Sequence, residues 1–104
     1  MRPGKAEATA AARWAKEAEE SFRLARKGLG DLLEMLDQAS APGLISPFVR
    51  AALSALPEAT RWTWKAQASA HRCDAESAKE AAGDVSQVAR KIERMRTLAR
   101  GHLG

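Results

Sequence analysis

The side chains able to do chemistry stand closest together at His71, Cys73 and Asp74. On a helix two groups share a face when they are three or four residues apart, so only His71 and Asp74 are spaced as a metal-ligand pair. No second cluster completes a coordination sphere, and the other histidine, His102, lies near a fraying end. A Cys–His nucleophilic pair needs an oriented base and an oxyanion site, and residues two apart on a helix point away from each other. Cys73 therefore reads as a small hydrophobe on a buried helix face. Glu17, Glu19 and Glu20 have no Glu-x-x-His companion of the kind di-iron bundles use. Glycine-rich phosphate loops and dinucleotide-binding turns are absent as well. The expectation is a non-enzymatic protein with no cofactor and no metal.

Two other groups are suited to binding. Trp62 and Trp64 stand two residues apart, about 200° around a helix, so they cannot both enter one core. One is expected to be exposed and, flanked by Arg61 and Lys65, to stack on bases, rest at a membrane surface or anchor a protein. The plainer alternative packs one Trp on the hairpin and the other beneath the short helix at Phe48 and Leu53. The second group is basic: Arg90, Lys91, Arg94, Arg96 and Arg100, against Glu93, carry the whole formal excess of +4, while residues 1–89 are balanced. Cations at a helix C-terminus complement its dipole, which explains the enrichment without a ligand. Contact with nucleic acid, lipid headgroups or an acidic partner is the sharper reading.

The elements that must position these groups are helical. Ala11, Ala15, Ala18, Phe22, Ala25, Leu29, Leu32 and Leu36 alternate steps of four and three, the heptad spacing of a helix packed along another. Trp14, Leu33 and Met35 widen this stripe beyond a two-stranded seam, which favours a bundle of three or more helices. Leu24, at an otherwise polar outer position, adds a possible contact surface. The pattern predicts a helix over about 6–39, a Pro- and Gly-marked loop over 40–46, a short helix over 47–56 started by Ser46-Pro47, and a long helix over about 57–100 opened by Pro57-Glu58. Gly28, Gly30 and Gly83 are possible breaks, but the heptad phase passes through residues 28–30 without a slip. In the last helix Val85, Val88, Ile92, Met95 and Ala99 keep the spacing, whereas Ala66, Ala70, Cys73, Ser77 and Ala81 form a small-residue half. No β pattern competes, because alternation and tyrosine are both absent.

With 104 residues, 45% hydrophobic and 29% charged, the chain suits one all-α domain and not a disordered or membrane-spanning one. The first residues have no apolar stretch of a cleavable signal, and no run approaches the ~20 apolar residues of a membrane span. A single cysteine forms no internal disulfide, so a reducing cytoplasm is expected, with signal-less secretion still open. An alanine-built core buries little area per residue, so self-association is expected to complete a bundle around two long antiparallel helices. The architecture resembles that of the ESAT-6-like (WXG100) secreted helical hairpins. That resemblance would imply a signal-less hairpin pairing into a four-helix bundle, but the loop Ser40–Pro47 has no Trp-x-Gly and the chain has no tyrosine for the family's C-terminal signal. The sequence is read as a helical interaction or assembly protein acting through its seam, as a homo-oligomer or with a helical partner. Trp14, Phe22, Leu29, Leu32, Leu36, Trp62 and Trp64 are the expected contacts, and nucleic-acid association is the alternative.

Overall fold

Alanine, leucine and long charged side chains all favour helix, and they fill the first third of the chain. In the computed structural model, which describes residues 4–103, this stretch is one unbroken helix, α1 (Lys5–Gln38). Residues 1–3 of the segment read for a signal, and residue 104, lie outside the described residues. Gly28 and Gly30 lie within α1 without breaking it. The chain then leaves helical geometry at Ala39 (φ −72°, ψ 136°) and turns through Ser40 and Ala41. Pro42 enforces this exit, since a proline drives the residue before it out of the α region; Ala41 sits at φ −125°, ψ 79°.

The remaining elements differ from the expectation. Pro42 stands in the first turn of α2 (Pro42–His71), and this helix continues through both Pro47 and Pro57. The expected loop over 40–46, short helix over 47–56 and fresh start at residue 57 are therefore replaced by one helix. Packing explains it: Ile45, Val49, Ala52, Leu56, Ala59, Thr63 and Ala66 keep the four-three spacing across both prolines, and all but half-buried Leu56 are buried. Both prolines are exposed, so the carbonyls they leave without an intrahelical donor face water.

The break comes instead at residues 72–74. Cys73 has φ 56°. Asp74 N–H donates to Ser69 O (2.9 Å) and Cys73 N–H to Ala70 O (2.9 Å), the paired bonds of a Schellman ending with cysteine in the place glycine usually takes. Asp74 then caps α3 (Ala75–Gly101), its carboxylate accepting from Ser77 N–H at 3.1 Å. This bond holds the Asp74 carboxyl below its ordinary pKa. Cys73 is thus a half-buried corner residue and not part of a buried helix face. The predicted long helix over 57–100 is two helices, and Gly83 lies inside α3 without interrupting it.

The three helices pack pairwise into a rod 61 × 18 × 15 Å. The hairpin expected to need a second copy is thus a three-helix bundle closed by its own α3. Its core has two parts. At the end holding the α1–α2 corner, Leu29, Leu32, Met35, Ile45, Val49 and Ile92 build an aliphatic core. Toward the other end the core is mainly alanine, with Ala18, Ala59, Ala66, Ala81, Ala82 and Val85, and the half-buried rings of Trp14, Phe22 and Trp62 pack against it. Small residues bring the helix axes close, and the large rings cover the gaps that alanine leaves. Among the described residues no helix is long and apolar enough to cross a membrane.

Candidate functional site

The residues expected to meet a partner divide sharply. Leu29 and Leu32 are buried within the chain's own core, and Leu36, Phe22, Trp14 and Trp62 are half-buried against it. The α1 seam is consumed by α2 and α3. Of the flanking residues, Met35 is buried, Trp14 lies under the Lys79 amine (5.7 Å), and only Leu33 stays well exposed. The two tryptophans at 62 and 64 separate as their 200° spacing requires. Trp62 packs on the alanine core beneath the Lys65 amine (5.0 Å), while Trp64 is 69% exposed.

Trp64 does not stand alone. Leu53, Pro57, Thr60 and Trp64 follow steps of four, three and four, so they form a second heptad stripe on α2, turned about 100° from the buried one. Leu53 is half exposed, Pro57 exposed and Thr60 half-buried. Between this stripe and α1 runs a shallow cleft of about 220 Å³ lined by Glu19, Phe22, Thr60, Thr63, Trp64 and Gln67. Thr63 turns its hydroxyl inward to Ala59 O (2.7 Å), and Gln67 donates from Nε2 to Glu19 Oε1 (2.5 Å) at the cleft's end. The Arg26 guanidinium stands 6.0 Å from the Phe22 ring centroid, at the α1 rim. Leu53, expected to pack over a tryptophan, is instead half exposed, and Pro57 was missed because it reads as a helix start; the 4-3-4 spacing was the available signal.

The basic residues of α3 are not one unit. Arg96 bridges helices, its guanidinium 3.1 Å from Asp31 on α1 and 2.6 Å from Glu93. Glu93 is held below the usual carboxylate range by that bond, and the Arg96 pKa is raised by its two partners. Arg90 donates to Ser86 Oγ (3.1 Å). Arg90, Lys91 and Arg94 share the solvent-facing side of α3, while Arg100 points elsewhere by the helical count. Lys27, Arg90 and Arg96 rim a groove of about 360 Å³ between α1 and α3, with Leu24, Gly28 and Ala89 in its lining.

The corner that carries His71, Cys73 and Asp74 serves structure. Asp74 caps α3 and Cys73 adopts the left-handed turn, while His71 is exposed in the last turn of α2. Among the described residues no three His, Cys, Asp or Glu side chains gather where they could hold a metal ion. At the opposite end the His102 ring lies 5.8 Å from that of Phe48, tying the end of α3 to α2. Compared with known protein families, with curated proteins and with solved structures, the chain matches none.

Proposed function

We propose that this chain is a non-enzymatic helical interaction module that binds a protein partner through the outer stripe of α2. The observation that carries the reading is Trp64, 69% exposed in line with half-exposed Leu53 beside a cleft. Tryptophan loses few rotamers on binding and buries a large area, which is why it dominates interface energetics. Leu53, Pro57 and Trp64 leave an apolar stripe exposed along one face of α2, and such patches mark interaction surfaces. The same stripe, unlike the consumed α1 seam, is also open to homo-association.

The test is a Leu53→Glu/Trp64→Glu variant purified from its producing cell beside the unmodified chain. Both positions face water, so helicity and melting temperature should change little. The unmodified chain should elute in an assembly larger than 11.2 kDa and the variant as a monomer. Equal elution of the two contradicts the reading.

A nucleic-acid role draws on the shared outward direction of Arg90, Lys91 and Arg94. The engagement of Arg96 with Asp31 and Glu93 leaves that side with three cations outside any ion pair among the described residues, and the reading ranks second. A salt-dependent sub-micromolar affinity for DNA or RNA would reverse the order. The bundle of three helices also weighs against a hairpin of the ESAT-6-like kind.

A further inference from the structure

We infer that the occupant of the α1–α2 cleft is an acidic amphipathic helix of another protein, an inference that rests on the interaction reading above. Length argues for a helix. From Leu53 to Trp64 the stripe covers about 16 Å of α2, three turns, matching a partner that presents apolar anchors at i, i+4, i+7 and i+11. Shape argues the same way. The cleft lies between two helices and has Phe22 in its lining, with Thr60, Thr63 and Gln67 among its polar members. A third helix lies in such a groove, whereas a bilayer needs a broad convex apolar face.

Charge selects the partner's sign. By the helical count Arg50 and Arg61 flank the stripe on its far side, about 60° from Leu53 and Trp64, and Arg23 and Arg26 stand on the α1 rim. All four are exposed, and Arg26 is fixed to this face by its approach to the Phe22 ring. Of the acids on this face, Glu19 lines the cleft itself and is engaged there by Gln67, while Glu34 and Asp37 lie beyond Leu33, so the four arginines act from the rim. Arg23 pairs with Glu20 on α1 at 2.8 Å, but both side chains are largely exposed and the pair exchanges readily. A second copy docking by the same face would set these arginines against each other, because a two-fold interface pairs a patch with itself.

The test titrates the full chain, followed by tryptophan fluorescence, to which exposed Trp64 contributes beside half-buried Trp14 and Trp62, and by calorimetry, with three designed helical peptides. They share Leu anchors at i, i+4, i+7 and i+11 and carry flanks that are acidic, neutral or basic. The acidic peptide should bind about tenfold more tightly than the neutral one, the sum expected of four exposed charge pairs, and 0.5 M salt should remove most of that margin. Arg26→Gln/Arg61→Gln should cut the preference to about threefold while leaving neutral-peptide binding intact, and Trp64→Ala should weaken all three. Equal or tighter binding of the basic peptide, or saturable binding to phosphatidylserine vesicles with no peptide binding, overturns the acidic-helix assignment. So does the absence of peptide binding at 1 mM. In each of those cases the interaction reading stands if Leu53→Glu/Trp64→Glu still dissolves the cellular assembly, and falls if it does not.

Discussion

A Cβ placed on Gly28 would stand 2.7 Å from Ile92 Cγ2, so α1 and α3 approach at a point where any side chain collides with a β-branched neighbour. Gly30, two residues on, has nothing within 4 Å of the same position. The two glycines therefore make opposite predictions. Gly28→Ala should destabilise by about 1–2 kcal/mol, the cost of overpacking less the helix-propensity gain. Gly30→Ala should stabilise by about 0.5–1 kcal/mol through propensity alone. Urea denaturation of both variants checks the signs, and a gain in each would mean that α1 and α3 are not this close.

Cys73 carries a Cβ at φ 56°, a geometry that disfavours every residue but glycine. Cys73→Gly should relieve about 1 kcal/mol of strain, reduced somewhat by the added freedom of the unfolded chain. The midpoint of urea unfolding should rise. A fall would show that the thiol's packing outweighs the strain.

Stability should also depend on acid. Asp74 and Glu93 are both held below their ordinary values of 3.8 and 4.5, by Ser77 N–H and by Arg96 respectively. A lowered carboxylate pKa contributes stability that is complete above the unfolded value and is lost as pH falls through the folded one. The melting temperature should accordingly hold steady down to about pH 5 and drop below about 4.5. Asp74→Asn keeps a capping side chain but removes the titration, so it should flatten the acid limb relative to the unmodified chain. A parallel decline in both would remove Asp74 from the account.

The two neighbouring tryptophans should behave unequally. Trp62 packs on the alanine core and is half-buried, so Trp62→Ala should cost about 2 kcal/mol, below the range for fully buried aromatics. Trp64→Ala should stay within about 0.5 kcal/mol. Equal losses would make both structural and would remove the reason for assigning Trp64 to a partner.

These contrasts show what was legible in the sequence. The heptad column Ala11, Ala18, Ala25 and Leu32 lies at the centre of the bundle, because its spacing alone fixes one face of α1. The course of α2 was obscured by Ser46-Pro47 and Pro57-Glu58, which imitate helix starts. Local punctuation lost to the continuous stripe from Ile45 to Ala66, since a buried stripe outweighs two outward-facing prolines. The corner at residues 72–74 has neither glycine nor proline, so its Schellman bonds had no sequence marker, although Asp74 and Ser77 carry a capping spacing. Cutting the chain at Pro57 also split the Leu53–Trp64 stripe. One exposed ring of the Trp62–Trp64 pair was therefore expected, but neither which ring nor the surface around it was.

Partners are proposed to meet the outer stripe of α2, while the α1 seam is buried within the chain's own bundle. A photo-crosslinking amino acid placed at position 64, and in a separate chain at position 94 on the basic side of α3, tests it inside the producing cell. The account predicts a discrete protein adduct from position 64 that maps to an amphipathic helical segment, and none of comparable yield from position 94. Crosslinks from position 94 to nucleic acid or protein, with position 64 silent, would contradict it.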